Sequence, residues 1–254
     1  MCLIVFAYKS HPKYKFIFAA NRDEFHDRPT KDFHYWEDKK IFAGKDLKEG
    51  GTWMGFNEAG KFAAITNFRD MKNIMSTARS RGEIITNYLS AEIDSEKFLC
   101  DLQKKSLQYN GFNLLLGSFN ELYYYSNQLY QYEKLKPGVY GLSNHLLDTP
   151  WHKIEKSKNI FSDLLRDDEI NSEEFFKLLR NEEKSPENQL PETGIGKEWE
   201  IILSSIFIRT ENYGTRSSTL LSIDNNDMLN VCELSFDKNG NEKNRFENQV
   251  QIIS

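Results

Sequence analysis

Cys2 is the residue whose chemistry depends most on its position in this chain. With Met1 removed, which a small second residue permits, one residue carries both a thiol and a free α-amine. An α-amine titrates near pKa of about 7.7–8.0, so it can take the thiol proton at neutral pH. Nucleophile and base then share one backbone unit. The alternative keeps Met1 and makes Cys2 a small buried hydrophobe. Other polar residues stand at the ends of apolar runs: Asn21-Arg22-Asp23-Glu24, Asn67, Asn144 and Arg216. Each also has a structural reading, because Asn and Asp close turns and Arg22 can pair with Asp23 or Glu24.

The elements that must hold these residues follow from hydrophobic patterning. Leu3 to Tyr8 is a short apolar run that reads as a buried strand, and Phe16–Ala20 is a second. Ser10-His11-Pro12 supplies the turn of a hairpin that feeds into residues 21–25. Turn signals at Gly50-Gly51-Thr52-Trp53-Met54-Gly55 and Asn57-Glu58-Ala59-Gly60 flank a short strand, and Phe62–Thr66 delivers Asn67. Residues 80–90 carry Ile84, Ile85, Tyr88 and Leu89 on one helical face. A second helix follows, with Ser95 as its expected N-cap. Strands are expected over 113–117, 122–126, 131–135 and 139–142, with at least one ring of Tyr123-Tyr124-Tyr125 facing outward. Two helices then span Ile154–Leu165 and Phe175–Leu179, and residues 181–196 read as loop. The chain closes with strands over 206–209, 216–223, 229–236 and 245–252, with a hairpin turn at Asp224-Asn225-Asn226-Asp227. Blocks of strands alternating with pairs of helices predict α+β layers in a single domain over residues 1–254.

Composition narrows the function further. The 254 residues carry 33 Lys+Arg against 38 Asp+Glu, and no basic block that would hold a phosphate backbone. A nucleic-acid partner is therefore not expected. No apolar run approaches the roughly 18–20 residues of a membrane span, and no secretory-signal pattern precedes the first strand. Three scattered cysteines (Cys2, Cys100 and Cys232) make no disulfide framework and show no metal-ligand spacing. A reduced, cytoplasmic setting with no metal is the expectation. Phosphate-loop and dinucleotide motifs are absent.

The ordered motifs of this chain resemble the NRDE family, also called the transport and Golgi organisation 2 family. They are the opening Met-Cys-Leu-Ile, Asn21-Arg22-Asp23-Glu24, Gly51-Thr52-Trp53, Thr66-Asn67-Phe68-Arg69 and Ser80-Arg81-Gly82. Further along come Gly111-Phe112-Asn113-Leu114, Gly141-Leu142-Ser143-Asn144, Asp148-Thr149-Pro150-Trp151, Leu190-Pro191-Glu192-Thr193-Gly194 and Tyr213-Gly214-Thr215-Arg216-Ser217-Ser218-Thr219. Cys2, the Asn/Arg/Asp cluster, Asn57-Glu58-Ala59-Gly60, Asn67-Phe68 and Ser143-Asn144 also resemble the choloylglycine hydrolases. Those belong to the N-terminal-nucleophile (Ntn) superfamily, whose fold is a four-layer αββα sandwich of antiparallel sheets.

That second resemblance implies a cysteine hydrolase acting on a linear amide or related acyl bond. Cys2 would attack the carbonyl, Asn67 and Asn144 would stabilise the oxyanion, and Arg22 with Arg216 would favour the thiolate. Asp23 or Glu24 would orient the amine. Asn21, Glu24, Trp53 and His145 are the expected ligand-contacting residues. Choloylglycine-type chains carry Arg-Asn-x-Asp at this strand end, so the arginine here is displaced by one residue, which on a strand is the opposite face. No cofactor is required by this mechanism. The family resemblance also implies an alternative: a non-catalytic haem or acyl-CoA/lipid carrier on the same fold. Its candidate haem ligands are Cys2, His26, His34, His145 and His152, though no Cys-Pro or CxxCH pattern accompanies them. An aromatic interaction surface is a third reading, and the oligomeric state is left open.

Overall fold

The computed structural model describes residues 3–253; Met1, Cys2 and Ser254 lie outside the described residues. The strands are β1 (Leu3–Tyr8), β2 (Tyr14–Phe25), β3 (Thr30–Trp36), β4 (Ile41–Asp46), β5 (Met54–Asn57), β6 (Lys61–Asn67), β7 (Phe112–Ser118), β8 (Glu121–Ser126), β9 (Gln131–Lys134), β10 (Gly138–Leu142), β11 (Tyr213–Asp224), β12 (Met228–Phe236) and β13 (Glu242–Gln251). The helices are α1 (Gly82–Ser90), α2 (Ser95–Lys105), α3 (His152–Leu164), α4 (Ser172–Leu179) and α5 (Lys197–Ile202). One sheet runs β10-β1-β2-β11-β12-β13, and the other is a meander of β3 to β9 in chain order. Every pairing is antiparallel.

Side-chain alternation sorts each strand between two environments. In β1 and β2, Ile4, Phe6, Phe16, Phe18 and Ala20 face the other sheet, while Leu3, Val5, Ala7, Ile17 and Ala19 pack under α3 and α4. The second sheet does the same: Phe62, Ala64 and Leu115 point inward, and Ala63, Leu114 and Leu116 meet α1 and α2. The layers are therefore helix, sheet, sheet, helix, the expected αββα sandwich. Phe62 sits edge-on to Phe16 and Phe18, with ring centroids 5.1 and 5.2 Å away, and locks the two sheets together. β1 reads as one continuous apolar run because it is buried on both faces.

Several local expectations are corrected. All three rings of Tyr123-Tyr124-Tyr125 are buried, because Tyr124 enters the inter-sheet core and the other two meet the helix layer. Residues 206–209 form no strand; they contribute a single bridge, Arg209 to Gly214. Asp94, not Ser95, caps α2, its carboxylate accepting from the amides of Glu96 and Lys97 at 2.9 and 3.1 Å. β3, β4 and α5 fall outside the expected elements, because their polar residues break the apolar periodicity.

Candidate active site

Strand β2 presents the tetrad on two opposite faces. Arg22 follows the inward face of Phe18 and Ala20 and enters the inter-sheet layer, where it is only 4% exposed. Asn21 and Asp23 point the other way. Asn21 is consumed by the fold: its amide donates to the carbonyls of Leu179 and Ile206, both at 2.8 Å, and accepts from Ser218 Oγ at 2.6 Å. Asp23 accepts from Thr215 Oγ1 at 2.6 Å. Glu24 accepts from the amide of Phe25 and faces a cleft. Leu3, the first described residue, pairs with Asn21.

The Arg22 guanidinium lies 4.2 Å over the Trp53 ring. Burial lowers its pKa, and Arg216 acts in the same direction against the nearby carboxylates Glu24, Asp46 and Glu233. A guanidinium remains charged regardless, so Arg22 is a buried fixed cation. Trp53 is seated by missing side chains. A Cβ on Gly44 would come within 2.3 Å of its ring, and a Cβ on Gly51 would meet the Gly82 backbone at 2.5 Å. The Gly51-Thr52-Trp53 and Ser80-Arg81-Gly82 motifs are thus two halves of one close backbone approach, closed by the Thr52 amide on the Gly82 carbonyl.

Asn67 ends β6 and Asn144 follows β10, and the fold brings them together. Asn144 Nδ2 donates to the Asn67 carbonyl at 3.0 Å, and the Arg69 amide donates to the Asn144 carbonyl at 2.8 Å. The Asn67 side chain is exposed at the junction of two cleft arms. One arm, about 540 Å³, is walled by Phe25, Phe68, Met71, Ile74, Trp199 and Tyr213, among others. The other, about 260 Å³, is polar and contains Arg22, Glu24, Arg28, Asp46, Arg79 and Arg81. Phe25, Met71, Ile74 and Trp199 remain 50, 48, 57 and 41% exposed at the mouth of the apolar arm.

Arg216 is the bulged residue of β11, between the pairs Thr215–Asp23 and Ser217–Arg22. Its Nη1 donates to the carbonyls of Phe25, His26 and Arg28, fastening the turn after β2. His145 sits outside both arms, its Nδ1 against Thr149 Oγ1 at 2.9 Å and its ring against Phe68, and burial lowers its pKa. His26, His34 and His152 also lie outside the two arms. Sequence reasoning missed the buried Arg69–Glu200 pair, at 2.9 Å, which ties α5 and its Trp199 to the Asn144 strand end. It also missed Arg28, Asp46, Arg79 and Glu233. Arg69 and Arg81 lay within recognised motifs; the remaining residues carried no local signal.

Comparison with known proteins agrees with this geometry. Over 99% of this chain and 92% of its own, the conjugated bile acid hydrolase of Clostridium perfringens superposes with a TM-score of 0.51 at 10% identity. The fold is accordingly an Ntn-hydrolase-type sandwich. A family model, Transport and Golgi organisation 2, matches residues 1–238, and the chain belongs to that family. It is 35% identical to the Bos taurus Transport and Golgi organization protein 2 homolog over 92% of this chain and 93% of that protein. Identity to the Homo sapiens homolog is 34% over the same shares, and to the Drosophila melanogaster protein 28% over 92 and 91%. No described helix is long and apolar enough to cross a membrane.

Proposed function

We propose that this chain is an N-terminal cysteine hydrolase acting on a linear amide or related acyl bond. The observation that carries the reading is the position of Arg22, a buried cation on the wall of the cleft, one residue from the Asn21–Leu3 pairing. Cys2 itself lies outside the described residues, but it is bonded to Leu3, and consecutive Cα atoms are about 3.8 Å apart. The proposed cycle starts with Met1 removed. The α-amine takes the Cys2 proton, Sγ attacks the carbonyl carbon, and the oxyanion draws on the Asn67 side-chain amide while Asn144 holds the Asn67 backbone. Collapse breaks the C–N bond, the ammonium protonates the leaving amine, and water then hydrolyses the thioester with the amine again as base. In this reading Arg22 favours the thiolate, Arg216 fastens the strand end, and Asp23 or Glu24 orients the amine. The apolar arm suits the acyl part and the arginine-containing arm a polar or anionic leaving part.

Intact mass before and after brief iodoacetamide at pH 7 tests the reading. Loss of one methionine and a single fast alkylation, absent in Cys2→Ala, is expected, and an unreactive Cys2 overturns it. Aliphatic p-nitroanilides of rising chain length should then gain in kcat/KM, a gain that Trp199→Ala reduces about 10-fold. The exposed apolar mouth favours a second reading, carriage of an apolar-chain ligand without turnover. Tight binding of a fatty acyl probe with an inert Cys2 would support it.

A further inference from the structure

Six buried side-chain polar atoms have no hydrogen-bond partner among the described residues. Four of them, Arg22 Nη1, Trp53 Nε1, Ser217 Oγ and Ser235 Oγ, belong to residues lining a single cavity of about 20 Å³. Arg22 and Trp53 line both this cavity and the cleft's polar arm. Strand register explains the cluster. Arg22 pairs with Ser217 and Ser217 with Ser235, so the three stand in a row across β2, β11 and β12. Buried polar groups are almost always satisfied by protein or by ordered water, and a water needs only about 10–15 Å³ with two to four polar partners.

The chemistry of the orphan atoms selects the guest. An indole N–H and a guanidinium N–H can only donate, so the guest must accept. It must also tolerate the carboxylates of Glu233 and Asp32 in the same wall. A chloride can only accept, whereas water accepts from the N–H groups and also donates to a carboxylate. Glu233 is fully engaged along one edge: Oε1 accepts from the Phe33 amide at 3.0 Å and Oε2 from Thr219 Oγ1 at 2.9 Å.

We infer that this cavity is a hydration site whose ordered water links the Arg22 guanidinium to the Glu233 carboxylate, making Glu233 the positioning residue of Arg22. Its relevance to catalysis rests on the hydrolase reading, but the site does not. Burial pushes the Glu233 carboxyl up to about 7, so its charge, and with it the orientation of the water, changes near neutral pH. The charged groups around it are Arg22 on β2, Asp32 on β3, Arg216 on β11 and Lys243 on β13.

The test reads the cavity by NMR on the full chain, independently of Cys2. The Trp53 indole ¹⁵N–H signal, assigned through Trp53→Phe, should receive magnetisation from a bound water. It should also shift with a midpoint near pH 7, as should the Arg22 Nε signal assigned through Arg22→Lys. Glu233→Gln should abolish both titrations while keeping the water transfer. Ser217→Val, which fills the cavity with apolar atoms, should abolish the transfer instead. A dry indole, a titration unchanged in Glu233→Gln, or a signal that follows chloride concentration at fixed pH would each overturn the proposal. A failed hydrolase reading shows separately, as an inert Cys2 beside an intact water signal.

Discussion

The Arg22 guanidinium stacks on the Trp53 ring at 4.2 Å, and this contact joins the end of β2 to the segment before β5 across the gap between the sheets. Both residues also line the cleft's polar arm and the small polar cavity. A cation here is held by a π-face and by burial, with no carboxylate hydrogen-bonded to it among the described residues.

The stack makes Trp53 a structural and electrostatic support at once. Trp53→Ala should destabilise the protein by about 3–5 kcal/mol, the usual range for removing a large buried aromatic side chain. Trp53→Phe keeps a π-face and should cost clearly less. Urea unfolding of the two variants, compared with the wild type, measures the difference.

Gly51 meets the Gly82 backbone, which has no flexible side chain to move aside. Gly51→Ala should therefore cost about 1–3 kcal/mol through overpacking and displace Trp53 from Arg22. The expected readouts are a lowered melting temperature and a changed Trp fluorescence. A Gly50→Ala control meets no neighbour but carries a φ of +76°, so it should show a milder, purely local cost.

Glu200 is buried against Arg69 at 2.9 Å and also accepts from the Thr193 amide and hydroxyl at 2.8 and 2.6 Å. Glu200→Ala leaves Arg69 buried without its carboxylate and should cost about 3–5 kcal/mol. The double variant Arg69→Met, Glu200→Met should recover part of that loss, because no unpaired charge remains. Denaturant midpoints for the single and double variants decide between these outcomes.

Glu233 carries a pH signature in stability. Its folded pKa is raised from 4.5 to about 7, so between these values the native state holds a proton that the unfolded chain has released. Stability linked to this group is therefore complete below about pH 4.5 and is lost as pH rises through 7. The shift corresponds to about 3 kcal/mol. In Glu233→Gln the fall in unfolding free energy between pH 5 and pH 8 should shrink by about that amount, measured by urea titration at both values.

Local patterning was enough to specify the layers and most of the strands. Continuous apolar runs in β1 and β2, short and separated by a turn, read as strands buried on both faces, and the order of blocks pointed to α+β layers. The strand-end positions of Asn67, Asn144 and the tetrad were legible because turn residues and apolar runs are local signals. Which of these residues share a face and a neighbour emerges only from the packing of the sheets. Arg22 and Asp23 are adjacent in sequence yet point to opposite sides of a sheet, and Asn21 is spent inside the helix-side core. Arg22 meets Trp53 and Ser217 from 31 and 195 positions away and shares a cavity with Glu233, 211 positions on, through register and inter-sheet packing that no local pattern encodes. Sequence periodicity specifies how a strand alternates; which partners fill each face is fixed only when the sheets close on one another.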